Sequence, residues 1–413
     1  MTHTITQCRI CGGHELETVM ALGDQVLTGV FPRTPDQRVT SGPVDLVRCA
    51  APDGCGLVQL KQSYDLSEMY GMNYGYRSGL NASMVRHLHG KVARILQRGL
   101  LQPGDLVIDI GSNDATTLKA YPAGQYQLMG VDPTGVKFAD YYPPDIALVA
   151  DFFSARALRE PLAGRKAKVI TSFSMFYDLE DPVAFAREVA ATLHDDGVWV
   201  FEQSYLPAML RTNSFDTICH EHLEFYALKQ IHWIARDAGL KVLDVEFNDI
   251  NGGSFSITAA KAESTHQPDA AQLARIAADE AALGLEDGRA FSDFKARVEQ
   301  ARGELMDFLA QQKAQGRRVC GLGASTKGNV LLQYYGIGPD LLESIAEVNA
   351  DKFGSYTPGS LIPIRPQDEV LASQPDYLLV LPWHFRSFFM GSPALRGRKL
   401  VFPLPRFEVV DVQ

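Results

Sequence analysis

The chain has 413 residues, of which 46% are hydrophobic and 21% are charged, a composition typical of soluble globular proteins. This length is too great for one compact core and predicts two or three domains. The formal net charge of −10 argues against a general nucleic-acid-binding protein, because such proteins usually present a basic face. No apolar run reaches about 18 residues and no secretory signal is recognisable, so we expect a cytoplasmic protein without a membrane partner. The oligomeric state does not follow from the sequence, which is compatible with a monomer.

Four of the six cysteines lie near the start of the chain as two local pairs. Four thiolates suit tetrahedral Zn²⁺, and because they leave no ligand position open, the metal would be structural. The first pair has the spacing of a zinc knuckle and precedes two glycines, whereas the second pair is more widely spaced. A set of unrelated reduced cysteines is the alternative. We predict a small zinc-binding domain over residues 1–75, with the ligands Cys8, Cys11, Cys49 and Cys55.

Residues 76–262 alternate strands and helices in the order expected of an α/β domain with a parallel sheet. Five predicted strands are parallel and a final pair forms an antiparallel hairpin, which is typical of a class I methyltransferase domain with a Rossmann-like sheet. A NAD dehydrogenase would more often carry G-x-G-x-x-G after the first strand, where this chain has a single glycine. The predicted strands are 106–110, 127–131, 146–150, 168–173, 197–202, 240–247 and 254–261.

The first of these strands runs directly into Gly111, and the second is followed by Asp132. A strand, a tight glycine turn and a helix present backbone N–H groups to a ligand, and an acid after the next strand can bind a ribose diol. An ordinary strand-end turn with Pro133 is the alternative for Asp132. We interpret the layout as a site for S-adenosylmethionine, with the cofactor-binding candidates Asp109, Gly111, Asn113, Asp132, Asp151, Phe152, Ser174 and Gln203.

The tripeptide His220-Glu221-His222 follows the fifth parallel strand, beyond the edge of the sheet at which ligands bind. Two imidazoles and a carboxylate at that place indicate proton transfer, because the ordinary histidine pKa of ~6.5 leaves a large neutral fraction at cytoplasmic pH. The alternative is a polar turn or a structural hydrogen-bond cluster, since the spacing matches neither H-E-x-x-H nor a usual zinc site.

Residues 263–413 are predicted to form a second Rossmann-like α/β domain. Helical spacing over residues 264–315 predicts two or three helices that cover the sheet or link the domains. A predicted strand over 318–322 enters a turn that contains Lys327, where N–H groups, hydroxyls and one ammonium could hold a diphosphate. A vestigial α/β turn with a solvated lysine is the alternative. Another buried strand is predicted over 376–382.

Seven motifs, in order along nearly the whole chain, resemble the three-domain, zinc-containing sugar C-methyltransferases that act on nucleotide-linked ketodeoxysugars. The motifs are CRICGG (8–13), YGYRSG (74–79), DIGSND (109–114), FEQSYLP (201–207), FDTICHEHLEFY (215–226), NGGSF (251–255) and GLGASTKGN (321–329). The resemblance implies a zinc-binding N-terminal segment, a middle domain that binds S-adenosylmethionine, and a nucleotide-diphosphate sugar bound between the middle and C-terminal domains.

The resemblance also implies that His222 is the general base, with Glu221 beside it, and that a tyrosine reaches the site from the N-terminal region. The catalytic candidates are His222, Glu221, Tyr76, His220 and Tyr177. The substrate-binding candidates are Tyr74, Arg77, Cys219, Tyr226, Asn251, Ser325, Thr326, Lys327, Asn329 and His384. Two positions depart from the pattern of many members, which have tyrosine in place of Cys219 and histidine in place of Asp178. The sugar and the group that stabilises the enolate therefore stay open.

We expect a reaction in which the enzyme removes the proton α to the ketone of a nucleotide-linked 4-keto-deoxysugar and methylates the enolate, at C-3. A positioned base typically contributes ~10²–10⁴-fold to such a reaction, and donors to the oxyanion a comparable factor. Two other classes stay open. One is a nucleotide-sugar oxidoreductase or epimerase that uses both Rossmann-like domains and binds a nicotinamide cofactor. The other is a non-catalytic, zinc-stabilised protein that binds a nucleotide sugar.

Overall fold

The computed structural model describes residues 3–65 and 76–413. The N-terminal part is a small antiparallel β-structure, in which the second, third and fourth strands form one sheet and the first and fifth strands pair separately. Its strands are β1 (His3–Thr4), β2 (Leu16–Val26), β3 (Ser41–Cys49), β4 (Val58–Leu60) and β5 (Gln62–Ser63). In β2 and β3 buried and exposed residues partly alternate, as expected of a sheet with one face on the core.

The middle part is a seven-stranded sheet in the order β12-β13-β10-β9-β6-β7-β8. Its strands, together with β11, are β6 (Leu106–Ile110), β7 (Gln127–Val131), β8 (Ile146–Val149), β9 (Ala167–Phe173), β10 (Leu193–Ser204), β11 (Glu224–Phe225), β12 (Leu240–Asn248) and β13 (Ser254–Lys261). Five strands are parallel, and β13 runs antiparallel between β10 and β12. The predicted class I methyltransferase sheet is confirmed. All of β6 is buried because helices cover both faces of a parallel sheet.

Helices flank this sheet, and the first of them begins where the Asn81 side chain accepts a hydrogen bond from the Ser83 N–H. The helices are α1 (Ala82–Gln97), α2 (Gly135–Phe138), α3 (Ala155–Leu162), α4 (Pro182–Thr192), α5 (Leu206–Thr212) and α6 (Leu228–Asp237). Strand β11, which begins two residues after His222, does not join the central sheet. It pairs antiparallel with β4 and so becomes the outer strand of the N-terminal sheet.

The C-terminal part is a six-stranded sheet in the order β16-β15-β14-β17-β18-β19, parallel except for the last strand. Its strands are β14 (Val319–Leu322), β15 (Ile345–Glu347), β16 (Ile364–Pro366), β17 (Tyr377–Val380), β18 (Lys399–Phe402) and β19 (Glu408–Asp411). The remaining helices are α7 (Ala270–Ala282), α8 (Arg289–Ala314), α9 (Thr326–Tyr335), α10 (Gln367–Ala372) and α11 (Arg386–Met390). The predicted second α/β domain is confirmed, with both of its predicted strands.

Helices α7 and α8 connect the parts of the molecule. On α7, the buried Glu280 carboxylate accepts hydrogen bonds from the Tyr205 hydroxyl at 2.9 Å and from the Leu228 N–H at 2.7 Å, so this helix packs on the middle part. On α8, Arg297 donates to Asn213 Oδ1 at 2.9 Å, and Phe294 lies in a core that includes residues of all three parts. Within the described ranges, no helix has the length and apolarity needed to cross a bilayer.

Candidate functional site

The four predicted zinc ligands lie together. Their Sγ atoms are all within 4.8 Å of one another, and the Cys8–Cys55 and Cys11–Cys49 pairs are each 3.5 Å apart. The first pair is brought together by a tight turn in which the Gly12 N–H donates to the Cys8 carbonyl at 3.0 Å and the Cys8 N–H to the Gly13 carbonyl at 2.8 Å. Three of the four cysteines are buried, which suits thiolates that bind a metal rather than water.

Two glycines leave room for a metal at this cluster. A Cβ atom would lie 3.3 Å from Cys49 Sγ at Gly13 and 2.9 Å from the same sulfur at Gly54. Side chains at these positions would therefore enter the space that four thiolates and an ion require. The donor set and the free space both fit a structural Zn²⁺ site.

Arg9, within the zinc knuckle, ties this cluster to the rest of the molecule. Its guanidinium donates to the Leu60 carbonyl at 2.6 Å and to the Ser63 hydroxyl at 2.7 Å. It also forms ion pairs with Glu180 at 3.4 Å and with the buried Glu224 at 3.7 Å. Burial raises the pKa of Glu224, two residues from His222, well above its ordinary value, and the Arg9 charge opposes that rise only in part. The knuckle arginine was not identified from the sequence.

A cavity of about 250 Å³ opens at the carboxyl ends of β6, β7 and β9. Six of the eight cofactor-binding candidates line it, namely Asp109, Gly111, Asn113, Asp132, Phe152 and Ser174. The backbone is left-handed at Gly111, where φ is 71°, and also at two non-glycine residues, Asn113 (49°) and Ser174 (55°). Such conformations at non-glycine residues are costly and concentrate at functional sites.

The turn after β6 is fixed by carboxylates. Asp132 accepts hydrogen bonds from the Asn113 N–H at 2.8 Å, the Thr134 N–H at 2.7 Å and the Thr134 hydroxyl at 2.5 Å. The strand-end turn considered as an alternative thus exists, with Thr134 as its partner, and Asp132 lines the cavity as well. Asp109 is buried and accepts from the Thr171 hydroxyl at 2.5 Å. Burial raises the pKa of Asp109 to about 7.

The segment after the undescribed residues 66–75 lies on this turn. Asn113 accepts from the Ser78 N–H at 3.0 Å and donates to the Tyr76 carbonyl at 3.2 Å. Asp114 accepts from the Gly79 N–H at 3.0 Å. Tyr76 lines the cavity with 45% of its surface still exposed.

Arg77 also belongs to this segment, and it is held at the cavity turn. Its guanidinium lies over the Tyr141 ring, 4.3 Å from the centroid, and pairs with Asp114 at 3.8 Å. Tyr74, the other tyrosine candidate, lies outside the described residues.

Two cofactor-binding candidates do not line the cavity. Asp151 is exposed, and its carboxylate accepts from the N–H of the neighbouring Phe152 at 2.7 Å. Gln203 is buried in β10, where its amide atoms have no hydrogen-bond partner among the described residues.

His222 does not itself line the cavity, but it contacts the loop after β9 that does. Its ring makes an edge-to-face contact with the Tyr177 ring, with centroids 4.5 Å apart. In the sequence, Tyr177 lies between Met175 and Asp178, which both line the cavity. His222 Nδ1 is 2.8 Å from the Thr217 carbonyl oxygen, which can only accept, so Nδ1 carries the proton and Nε2 the lone pair. Burial lowers the pKa of His222 to about 4, helped by the charge of Lys327. The imidazole is therefore neutral at neutral pH.

The chain around His222 is pinned to two different elements. The Leu223 N–H donates to the Tyr177 carbonyl, and the Leu223 carbonyl accepts from the Leu60 N–H, both at 2.8 Å. Glu221 does not hold the imidazole, a role that the Thr217 carbonyl fills. Burial raises the pKa of Glu221, opposed by a hydrogen bond with the Cys219 thiol. Cys219 is itself buried, and the charges of Glu221 and Asp178 raise its pKa further.

Two candidates of the same motif are buried elsewhere, His220 against the N-terminal part and Tyr226 against the middle part. His220 is fully buried, packs edge-to-face on Tyr64 with centroids 4.5 Å apart, and lies against the backbone of Gln25 and Gly42. Tyr226 is fully buried as well, and its ring stacks on Phe176 at 5.4 Å. The structure therefore separates His220 and Tyr226 from His222.

The first turn of α9 brings the C-terminal part to this site. Lys327 donates to the Asn251 carbonyl at 2.7 Å. Burial lowers its pKa and the nearby Asp216 carboxylate opposes that change. His384 lies near the same ammonium group. Burial and the charge of Lys327 lower the pKa of His384 to about 3. Thr326 follows as the first residue of α9 and is half-buried.

Two further candidates of this turn have structural contacts. The Ser325 hydroxyl caps α9 by accepting from the Gly328 N–H at 3.0 Å. Asn329 is fully buried and donates to the Thr28 carbonyl at 2.8 Å, which joins the C-terminal and N-terminal parts.

Two residues that the sequence did not single out complete the site. Thr217 contributes the carbonyl that orients His222. Asp216 is fully buried and accepts from the Trp383 indole N–H at 2.8 Å. Both lie inside the FDTICHEHLEFY motif, but a backbone carbonyl leaves no side-chain signal, and Trp383 is 167 residues from Asp216.

Three family models match successive parts of the chain. They describe a zinc binding domain over residues 8–70, a methyltransferase domain over 84–245 and a C-methyltransferase C-terminal domain over 249–405. A relative, the C-methyltransferase NovU of Streptomyces niveus, is 28% identical over 416 residues, which cover 99% of this chain and 98% of the relative. The three matches follow one another in the order of the domains predicted from the sequence.

Solved structures resemble the chain at lower identity. The magnesium protoporphyrin IX methyltransferase ChlM of Synechocystis, with bound S-adenosylmethionine, is 17% identical, and the match covers 43% of this chain and 79% of ChlM with a TM-score of 0.32. An S-adenosylmethionine-dependent methyltransferase of Clostridium acetobutylicum is 13% identical, and that match covers 42% of this chain and 90% of the other with a TM-score of 0.33.

Proposed function

The chain belongs to the zinc-containing C-methyltransferases that depend on S-adenosylmethionine, and from this premise we propose that its substrate is a nucleotide-linked 4-keto-deoxysugar. In this proposal the enzyme removes the proton α to the ketone and methylates the resulting enolate at C-3. The observation that carries it is the tautomer of His222. Its Nδ1 proton is committed to the Thr217 carbonyl, which leaves Nε2 as a base beside the cavity.

Methylation at carbon requires a carbanion equivalent, and an enolate is one that a neutral imidazole can generate. A pKa of about 4 makes His222 a weak base, so the enolate must be strongly stabilised by other groups. Lys327 is the candidate that we favour for this stabilisation, because its ammonium group is close enough to lower the pKa of His222. The Tyr177 hydroxyl is a second candidate, since its ring contacts the imidazole.

The residues of the cavity are proposed to hold the cofactor, which supplies an electrophilic methyl group when bound. Gly111 and Asn113 would present the turn to its methionine part, and Asp132, which keeps one unused lone pair on Oδ2, would bind a ribose hydroxyl. Phe152 is proposed to cover the adenine, with the exposed Asp151 carboxylate next to it. Gln203 has no proposed contact with the cofactor.

The nucleotide sugar is proposed to lie between the middle and C-terminal domains, with Lys327, Thr326, Asn251 and His384 around it. A diphosphate on a chain of net charge −10 needs a local cation, and Lys327 is one. We retain domains over 1–75, 76–262 and 263–413 as the proposed division, with α7 packed back onto the middle domain. For His220, Tyr226 and Asn329, whose contacts join domains or fill the core, we propose structural roles.

The test of the proposed function is incubation of the zinc-loaded protein with 4-keto-6-deoxysugars linked to dTDP, GDP or UDP, in D₂O, with and without S-adenosylmethionine. We expect exchange of the C-3 proton without the cofactor, and with it a product heavier by one methylene whose new methyl group NMR places on carbon. A methyl group on oxygen, or a hydride transfer that requires NAD, would overturn the proposal.

The His222→Asn variant tests the base. We expect the exchange rate and kcat to fall by ~10²–10⁴-fold, the usual contribution of a positioned base, while the Kd for S-adenosylmethionine stays unchanged. The matched control is His89→Asn, because His89 is exposed on α1 and does not line the cavity. Retention of most of the exchange activity in His222→Asn would remove His222 from the mechanism.

A further inference from the structure

The short 3₁₀ turn Phe215–Thr217 belongs to the middle domain by sequence but is packed into the C-terminal domain. All three of its residues are buried. The Phe215 ring stacks on Tyr335 of α9, with centroids 5.1 Å apart and planes 27° apart. The position of the turn is therefore set from the C-terminal domain, although it lies only five residues before His222.

Asp216 is the polar anchor of this turn. It has no exposed surface, and Oδ2 accepts the Trp383 indole N–H at 2.8 Å. Trp383 is itself buried and directly follows the loop after β17. The other carboxylate oxygen has no hydrogen-bond partner among the described residues and lies in the field of the Lys327 ammonium. A buried carboxylate without its donor would be costly, so the bond to Trp383 holds the turn firmly in place.

The next residue, Thr217, performs the orienting task. Its carbonyl oxygen accepts the Nδ1 proton of His222 at 2.8 Å. Its hydroxyl donates to the Ser214 carbonyl at 2.8 Å and so closes the turn on itself. The side chain of Thr217 is thus occupied within the turn, and the direction of its carbonyl depends on the neighbouring anchors.

We propose that Asp216 is a positioning residue whose hydrogen bond to Trp383 fixes the Thr217 carbonyl and, through it, the Nδ1-protonated tautomer of His222. The proposal rests on the proposed function of His222 as base. It assigns to the C-terminal domain a direct part in preparing the base, in addition to binding the nucleotide. Without the anchor the Thr217 carbonyl can turn away, and the imidazole then divides its proton between Nδ1 and Nε2. Only the form with a free Nε2 can accept the substrate proton.

The first readout is the tautomer itself, measured by ¹⁵N NMR on the full-length, zinc-loaded protein labelled at histidine, without substrate. The His222 signals are assigned as those that vanish in His222→Asn. We expect protonated Nδ1 and unprotonated Nε2 in the wild type, and a mixture of tautomers in Asp216→Ala and in Trp383→Phe. Asp216→Asn should restore the wild-type pattern, since an amide oxygen still accepts the indole N–H.

The matched control is Trp199→Phe. Trp199 is also buried and donates its indole N–H to the Ser172 hydroxyl at 3.0 Å, but within the central sheet. This control loses a comparable hydrogen bond and should leave the His222 tautomer unchanged. If Asp216→Ala does not fold, Trp383→Phe breaks the same bond from its other end and carries the test.

Kinetics supply the second readout. We expect Asp216→Ala and Trp383→Phe each to lower kcat by about 10- to 100-fold, the range that a misplaced catalytic group costs, with little change in KM for S-adenosylmethionine. The double variant should be no slower than either single variant, because both substitutions remove the same hydrogen bond between Trp383 and Asp216.

An unchanged tautomer in both single variants would overturn the proposal, whatever the substrate is. A changed tautomer in a protein that methylates no ketosugar would instead uphold the positioning role and overturn the proposed substrate.

Discussion

His220 and His222 are two residues apart in the sequence and have opposite surroundings. His222 donates its Nδ1 proton to the Thr217 carbonyl, whereas His220 is enclosed by Tyr64 and the backbone of the N-terminal sheet. The sequence pattern could not separate them, because both imidazoles flank the same glutamate. What separates them is the fold of the chain after β10, which brings the His222 ring against Tyr177 and buries the His220 ring against the N-terminal sheet.

This difference predicts how His220 affects stability as the pH falls. Burial lowers the pKa of His220 to about 4, below the unfolded value of ~6.5. The folded state therefore binds fewer protons than the unfolded state between these values, so the contribution to stability is complete above pH 6.5 and is lost on acidification. Between pH 7 and pH 5 we expect a loss of about 2 kcal/mol from this residue.

The measurement is thermal unfolding of wild type and His220→Gln at several pH values between 5 and 7, in zinc-saturated buffer. The variant should be less dependent on pH than the wild type, whereas His89→Gln, at an exposed position on α1, should behave like the wild type. An equally steep decline in His220→Gln would show that His220 is protonated in the folded protein.

At the scale of elements, the strands of the central sheet and two of the six strands of the C-terminal sheet could be predicted, because buried parallel strands are continuous apolar runs, such as LVIDI at 106–110. Strand β10 extends beyond its prediction of 197–202 because Leu193 pairs with β9 and Ser204 with β13. Strand β11 could not be predicted, since two residues carry no periodicity and its partner, β4, is more than 160 positions earlier.

Residues 76–79 are a second feature that only the structure reveals. This segment is hydrogen-bonded to the turn after β6 and acts as a clamp on it. Two hydrogen bonds from this segment use the Asn113 amide. At about 1 kcal/mol each, their removal in Asn113→Ala should raise the Kd for S-adenosylmethionine by at least ~10-fold. Isothermal titration measures this change directly.

A suitable comparison for Asn113→Ala is Ser83→Ala, in which a nearby hydroxyl that bonds only to Asn81 is lost. We expect its Kd to equal that of the wild type. If Asn113→Ala binds the cofactor as tightly as Ser83→Ala, the clamp does not shape the cavity, and segment 76–79 has another purpose.

At the scale of the whole molecule, the sequence predicted three parts in the observed order but not that one buried cluster contains residues of all three. Phe294 on α8, Leu46 on β3 and Leu210 on α5 belong to that cluster. Long-range packing of this kind depends on how separate helices and sheets meet, and no local pattern encodes it. No local pattern encodes the role of Thr217 either, because it acts through the direction of its backbone carbonyl, which accepts the Nδ1 proton of His222.

The zinc domain and the candidate base are connected through this shared architecture. Strand β11 pairs with β4, the Leu223 carbonyl accepts from the Leu60 N–H, and the Arg9 guanidinium of the knuckle lies 3.7 Å from the buried Glu224. Loss of the metal should unfold the knuckle, because structural zinc sites are coupled to folding. The strand next to His222 would then lose its partner, so a metal that takes no part in the chemistry would still control the base.

Hydrogen–deuterium exchange before and after chelation tests this connection. We expect the amides of residues 3–65 and 223–226 to lose protection together and turnover to fall, while β14 to β18 keep their protection because they pack on α8 and α9. Chelator already saturated with zinc serves as the control, and added Zn²⁺ should restore both protection and turnover. Loss of protection confined to residues 3–65, with 223–226 still protected, would mean that β11 is held by the central domain alone.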